Sequence, residues 1–549
     1  EKTTVTRTKK KSKSTDSTFS VPPIVWTILP IVLILIPLFA SVFLRVQPAY
    51  LPITDQWAQD TVEQHFKNMI KQDVNSRYPT LPQSQKNQII AQQFNTFLMN
   101  NSGMVQQQID QTSEHFKSRM QDDDGQTYLL AIDPYFHMRR SHHFVENGHA
   151  GTMIMNESTA TEMQRLAYPG KNYSGGVPWE HFRLAPVGSP AGTGFHNKVI
   201  AYFYMILSMF TSISFMGSTF YVPVVFATLA VIPAFFIGRR IGGDVGGFFT
   251  SLLVAVHPAF LSRTAGGFAD TDAYNVALPL FMLWFLMLGY EAQERWKKAT
   301  YLGLAGLFTG FFASAWQGWW YGADALLGGL ALLFVVEVVR HYAELKKGIA
   351  SFLKLRPINN IIVTTVGFVV SAWLFVTLFN GPNKAFAVVR DPIRRLTYTK
   401  KVGIGTIWPN IRTTVAEMNS APLSKVISQM GGELLFFFAC LGLILLVLRK
   451  DDDGRFDFKY FTIILVWFIG MLYTSTVGIR FTMLLVPAYA IALGGGLAIL
   501  YGYISRWLRD GLQIPGYLIK PVLIIFIALL FVSPIKAGLR TAQQEVPSM

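Results

Sequence analysis

Eleven apolar runs, each long enough to cross or nearly cross a hydrocarbon layer, punctuate this chain of 549 residues. Inside a bilayer every backbone N–H and C=O has to be satisfied within the protein, so runs of about 20 apolar residues fold there as helices. They cover residues 24–44, 219–238, 246–262, 274–290, 299–315, 319–339, 361–379, 434–448, 460–474, 481–500 and 521–535. The rest of the composition fits. With 51% hydrophobic residues, 15% charged and a mean hydropathy of +0.32, the expected fold class is an all-α polytopic membrane protein rather than a soluble domain. The single cysteine, Cys440, lies within an apolar run, which excludes a disulfide framework and a cysteine-based metal site.

A net charge of +15 raises the question of nucleic acid. Much of it, however, sits in the tail 1–20 and in short loops between spans. There it reads as the excess of Lys and Arg on cytoplasmic loops and as contact with anionic lipid, with no nucleic-acid partner. Residues 1–20, with Lys2, Arg7, Lys9, Lys10, Lys11 and Lys13 among Ser and Thr, read as a disordered cytoplasmic tail. Residues 21–45 form a retained first transmembrane helix, since the apolar core is too long for a signal peptide and lacks a small-residue cleavage site.

Residues 46–218 read as a large outer region. Its stretch 55–117 spaces Trp57, Val62, Phe66, Met69 and Ile70 as amphipathic helices do, and 150–197 reads as an ordered loop. The run 198–215 fits best as an interfacial helix, because that choice keeps Arg239 and Arg240 inside. A transmembrane bundle over 219–379, an outer loop 380–433 and C-terminal transmembrane helices over 434–549 follow. This topology places Asp133, Asp270, Asp272, the loop 380–433 and Arg480 outside, together with three Asn-x-Ser glycosylation sequons at Asn100, Asn156 and Asn172.

Three of those outer segments carry acids: Asp133-Pro134-Tyr135-Phe136-His137-Met138-Arg139, Ser262-Arg263 through Asp270-Thr271-Asp272, and Thr414-Val415-Ala416-Glu417. Carboxylates gathered at one place repel each other and pick up protons unless a cation sits among them. An all-oxygen set suits Mg²⁺ or Mn²⁺ better than zinc. Arg263 and Arg480 add positive charge on the same side, suited to clamping a phosphate.

In this order and sidedness the segments resemble the motifs of the oligosaccharyltransferase catalytic subunit, a C-type glycosyltransferase, in its archaeal single-subunit form. The Asp-Pro-aromatic-x-His-x-Arg segment is similar to the family's first acidic motif, and Arg263 to Asp272 is similar to its second. Thr414 to Glu417 resembles its Thr-Ile-x-Glu motif with Val415 in place of Ile, and Arg480-Phe481 resembles an arginine at the outer start of a late span. The resemblance covers most of 120–549. It implies thirteen spans, so the expected count is 11–13, and a soluble C-terminal domain whose Trp-Trp-Asp-Tyr-Gly motif reads the acceptor. The chain stops at Met549 short of such a domain, and Trp319-Trp320-Tyr321-Gly322, which lacks the Asp, is not that motif.

The activity implied is transfer of an oligosaccharide from a dolichyl phosphate or diphosphate to the side-chain amide of Asn in Asn-x-Ser/Thr, inverting the anomeric carbon. The partners implied are the lipid-linked oligosaccharide, an acceptor polypeptide and membrane lipid, handled by one subunit in the archaeal cell membrane with the site facing outward. Asp133, Asp270, Asp272 and Glu417 would hold the Mn²⁺ or Mg²⁺. Asp133, Glu417 and Arg263 would act in catalysis, and Arg480, Thr414 and His137 would bind substrate. Rival readings of the same residues are a C-type glycosyltransferase acting on Ser/Thr or on lipid, and a transporter or flippase with acids along its path. More local readings also exist. Asp133 can cap a helix before Pro134, His137 with His142, His143 and His149 can bind zinc, Asp122–Asp124 and Asp451–Asp453 can form turns, and Trp316, Trp319 and Trp320 can anchor at the interface.

Overall fold

The structure is a computed structural model that describes residues 23–398, 419–450, 454 and 456–547. The tail 1–20, Thr414, Glu417 and Asp451–Asp453 lie outside the described residues. The first span is α1 (Pro23–Arg45), followed by three polar helices α2 (Ile53–Arg77), α3 (Gln83–Asn100) and α4 (Ser102–Met120) and by α5 (Ile132–Asn147). After a small sheet come α6 (Phe195–Ser208), α7 (Phe215–Leu229), α8 (Val231–Val256), α9 (Asp272–Glu291), α10 (Arg295–Ala315), α11 (Trp320–Arg340) and α12 (Arg356–Asn380). The chain closes with α13 (Leu423–Gln429), α14 (Glu433–Leu445), α15 (Lys459–Val477), α16 (Thr482–Gly511) and α17 (Gly516–Gln544). Shorter helical turns connect some of these.

Each of the eleven expected spans is helical over most of its length, although 219–238 crosses a helix junction at Ala230 and 246–262 runs past the end of its helix at Val256. By length and apolar character eight helical segments among the described residues qualify as membrane-crossing, or nine when the pair Leu423–Gln429 and Glu433–Leu448, bent by 90° at Gly431-Gly432, is taken as one. Two causes account for the remainder. The segment Phe215–Val256 is one run that holds two expected spans, broken where Gly243 turns to φ +65°. α10 opens on Arg295, Lys297 and Lys298, which dilute its apolar character. The amphipathic stretch folds as expected into helices, with Val62 and Phe66 of α2 and Val105 of α4 forming a small core of their own.

One segment departs from the sequence reading. Within 150–197 lies a three-stranded antiparallel sheet, β1 (Met153–Met155), β2 (Val177–Glu180) and β3 (Ser189–Pro190), with Met153 opposite Trp179 and Trp179 opposite Pro190. Trp179 is fully buried and donates its indole N–H to the Val187 carbonyl, 3.1 Å away. Strands of two to four residues are too short for an alternating pattern to show. Trp319 also differs from the expected interfacial anchor, being 1% exposed and packed into the main core.

α16 is the axis of the bundle: every residue from Thr482 to Ala498 is buried. Hydrocarbon does not drive helices together as water does, so close approach depends on small residues that let backbones touch. Gly494-Gly495-Gly496 supplies that contact. A Cβ on Gly494 would lie 2.5 Å from the backbone nitrogen of Thr250 in α8, and one on Gly496 would collide with the backbone of Gly442 in α14. Gly496→Val should therefore cost about 1–3 kcal/mol through overpacking. Thermal unfolding in detergent is expected to show a lowered midpoint, and an unchanged midpoint would refute this seam.

Candidate active site

The segment 262–272 leaves the bundle between α8 and α9 and is held from three sides. The Arg45 side chain, fully buried at the end of α1, donates to Thr264 Oγ1 at 3.0 Å, Ser41 Oγ at 2.9 Å and the Ala255 carbonyl at 2.7 Å, with its guanidinium over the Phe260 ring. The Arg45 carbonyl accepts from the Gly266 N–H at 2.7 Å. Gly267 N–H donates to Phe220 O in α7 at 2.9 Å, and Gly267 O accepts from Leu130 N–H, just ahead of α5, at 3.0 Å. Both glycines are needed here. A Cβ on Gly266 would run into the Phe220 ring, and Gly267 has φ +90°.

This clamp delivers Asp270 and Asp272 at the first turn of α9. Thr271 N–H donates to Asp270 Oδ1 at 2.6 Å, and His137 Nε2 of α5 stands 3.6 Å from the same oxygen. Arg480, in the helical turn before α16, reaches both acids, with Nη2 3.3 Å from Asp272 Oδ1 and 3.9 Å from Asp270 Oδ2. Asn275 Nδ2 lies 3.3 Å from Asp272 Oδ1, while Asp272 Oδ2 is buried without a hydrogen-bond partner among the described residues. Burial would raise the Asp270 carboxyl. The hydrogen bonds from His137 and the Thr271 N–H, with the charge of His137, outweigh it, so Asp270 is held below the usual carboxylate range.

Two further histidines shape the rim. His196 of α6 is buried, packs edge-on to His137 at 4.8 Å, and bonds Tyr274 OH at 2.9 Å and the Ala269 carbonyl at 3.0 Å. Burial lowers its pKa to about 3, which keeps it neutral beside the acids. His257 closes α8 and caps the turn Pro258–Leu261. Beside the acids opens a cavity of about 450 Å³ whose polar lining includes Ser262, Arg263, Gln429, Arg480, Thr482 and Thr541. Arg263 lies near enough to act electrostatically on both Asp272 and Glu545. Burial raises the Glu545 carboxyl to about 7 against the pull of Arg263.

Of the residues singled out from sequence, Asp270, Asp272, Arg480, Arg263 and His137 thus come together. Asp133 is exposed at the start of α5, one helical turn before His137, and forms no ion pair or hydrogen bond among the described residues. Among those residues no group of three or more His, Cys, Asp or Glu is arranged to hold a metal ion. His142 pairs with Glu146 at 3.4 Å, apart from His137. Of the sequons, Asn156 and Asn172 are exposed and accept from Ser158 and Ser174, and Asn100 is exposed at the end of α3. Arg45, His196, Asn275 and Glu545 are site residues that sequence reading missed. Arg45 stands at the edge of an apolar run, where a charge ordinarily signals only the membrane boundary, and Glu545 lies beyond the last run among polar residues.

At the other end of α9, about 30 Å away by helix rise, Glu291 pairs with Arg240 and, at 3.1 Å, with Lys459. Lys459 also pairs with Asp457, at 2.8 Å. The bundle therefore has an acid-bearing end and, opposite it, an end with most of the basic loops.

The fold is that of a polytopic helical membrane bundle with an acidic pair and two arginines gathered at one end. The family profile described as oligosaccharyl transferase STT3, N-terminal, matches residues 106–536, and the chain belongs to that family. It is 27% identical over 431 residues to a dolichyl-phosphooligosaccharide-protein glycotransferase of Methanococcus voltae, covering 73% of this chain and 44% of that protein. It is 25% identical over 479 residues to the protein of the same name from Methanocaldococcus jannaschii, covering 73% and 49%. The chain thus spans just under half the length of these relatives. The crystal structure of the Archaeoglobus fulgidus oligosaccharyltransferase in its apo form superposes with a TM-score of 0.52 at 16% identity, covering 77% of this chain and 53% of that one, which shows a shared fold.

Arg45→Met removes the guanidinium that ties α1 to the 262–272 loop and leaves buried acceptors unmatched, at roughly 1–3 kcal/mol for each group. Hydrogen exchange at residues 263–270 is expected to speed up selectively, with α16 unaffected. Unchanged exchange in that loop would show that Arg45 does not hold it.

Proposed function

We propose that this chain is the membrane part of an oligosaccharyltransferase. In this reading it moves an oligosaccharide from a dolichyl phosphate or diphosphate to the side-chain amide of Asn in Asn-x-Ser/Thr, inverting the anomeric carbon. The supporting observation is the Asp270–Asp272–Arg480 cluster at the mouth of a polar cavity, in a chain of this family. The acid-bearing end faces the exterior and the basic loops face the cytoplasm, following the positive-inside rule.

An amide nitrogen is a weak nucleophile because its lone pair is delocalised into the carbonyl. Asp133 and Glu417 accept hydrogen bonds from the acceptor amide and orient it for attack. As nitrogen bonds to the anomeric carbon, one of its protons passes to a carboxylate that accepts from it, and the lipid phosphate departs with the electrons of the broken C–O bond. Arg480 and Arg263 line the cavity where that negative charge develops and stabilise it more than they stabilise the ground state. His137 and the Thr271 N–H keep Asp270 ionised and fixed in place.

Asp272 Oδ2, buried without a donor, suits a hard cation. Mg²⁺ and Mn²⁺ sites of this kind commonly use one or two carboxylates and complete their shell with water and phosphate. Asp270 and Asp272 would hold the ion, with Asp133 and Glu417 contributing from their own segments. When bound, it supplies Lewis-acid assistance to the departing phosphate.

Glu417→Gln and Asp270→Asn are each expected to cut transfer to an Asn-x-Thr peptide by about 10²–10³-fold, the scale of one lost preorganised electrostatic contact, while unfolding midpoints stay put. EDTA should abolish transfer and Mn²⁺ restore it. Rates near wild type in both variants, or transfer indifferent to chelation, would contradict the assignment.

A further inference from the structure

At the end of the bundle opposite the acids, a second cavity of about 760 Å³ opens between the first turns of α10 and α12. Four of its lining side chains are basic, Arg295, Lys298, Lys354 and Arg356, and none is acidic. We propose that this groove binds the phosphate headgroup of an anionic membrane phospholipid, with an acyl chain laid along α12.

The charge in this groove stands out against its surroundings. Neighbouring cations at the same end find acids: Lys297 pairs with Glu294 at 2.5 Å, Arg340 with Glu337 at 2.7 Å and Lys347 with Glu344 at 2.7 Å. Among the described residues, none of the four groove cations forms an ion pair. Two of them are instead held by neutral groups. Lys298 Nζ donates to Asn360 Oδ1 and Arg356 Nη2 to Gln293 Oε1, contacts that fix the cations without cancelling their charge.

The backbone adds to the same field. α12 begins at the groove with no acid in its first turn and no side-chain cap, so its unpaired N–H groups and the positive end of its dipole point there, while the Glu294 carboxylate at the start of α10 is taken up by Lys297 and Trp296 outside the groove lining. The α12 start and four cations without an ion pair among the described residues leave the groove short of negative charge that nothing else in its lining provides.

The floor of the groove explains why a lipid fits better than a free anion. It is apolar, formed by Ala299, Leu302, Val363 and Gly367. Gly367 lets α12 seat against Leu302, since a Cβ there would lie 2.7 Å from Leu302 Cδ1. Beyond the floor, Val366, Val370 and Leu374 continue along one face of α12 at helical spacing, and each is more than half exposed. A charged head and an apolar track in one continuous groove match an amphiphile. Basic pockets between transmembrane helices on the cytoplasmic side are where anionic headgroups bind. The site is distinct from the cavity at Arg263 and Arg480, because the whole length of α9 separates the two ends.

Native mass spectrometry of the intact chain in neutral detergent, titrated with phosphatidylglycerol, phosphatidylcholine or inorganic phosphate, tests this. The chain is expected to retain one phosphatidylglycerol in preference to phosphatidylcholine, and millimolar inorganic phosphate should not displace it. Losing two cations in Arg295→Gln/Arg356→Gln should weaken retention by about 10- to 30-fold, and Lys354→Gln alone by about fivefold. Lys346→Gln/Lys347→Gln removes equal charge just outside the groove and should leave retention unchanged. If the double variant fails to fold, the Lys354→Gln measurement decides. Equal retention of the two lipids, equal loss in groove and control variants, or full displacement by inorganic phosphate would each overturn the proposal.

Discussion

A buried guanidinium at the end of the first membrane helix governs how the acidic site is presented. Among the described residues Arg45 has no carboxylate partner. Its Nε and Nη1 donate to two hydroxyls and two carbonyls, its Nη2 is buried without a partner among the described residues, and its own carbonyl takes the N–H of Gly266. Taking such a group out of water is expensive unless its donors are matched. Here the matching groups lie on α1, on the end of α8 and on the loop that carries Asp270. Those separate segments therefore become one unit. Phe220 and Leu130 complete the grip on Gly267, which brings α7 and the lead-in to α5 to the same loop.

The electrostatics of the site follow from that placement. Two acids separated by one residue are forced together at the start of α9, and Arg480 comes from more than 200 residues later to balance them. His137 and the neutral His196 close the other side. Asp272 is left with one oxygen buried and unmatched, an arrangement that costs stability until something positive occupies it. Sites that store such a cost are generally functional ones. Opposite this end, the basic groove between α10 and α12 carries the converse imbalance, an excess of positive charge with no acid in its lining.

Much of this architecture was legible in the sequence because bilayer-crossing helices advertise themselves by composition. The eleven apolar runs each became helix, and the resemblance of Arg263–Asp272 and Arg480 to known motifs led to residues that meet in space. What stayed hidden has physical reasons. Arg45 ends an apolar run, and a cation at such a boundary reads as topology until the fold turns it inward. His196 stands just ahead of the run 198–215 taken as interfacial, and its partner Tyr274 lies 78 residues away, beyond any local period. The strands around Trp179 are shorter than the pattern that would betray them.

The central claim is that Asp270 and Asp272, set in place by the clamped loop, hold a divalent ion beside a phosphate-binding mouth. Electron paramagnetic resonance of Mn²⁺ added to the intact chain in membranes tests this directly. The account predicts one tightly bound Mn²⁺ per chain in the wild type, lost in Asp272→Asn. A signal of bound Mn²⁺ that is the same in both proteins, or no binding in either, would contradict it.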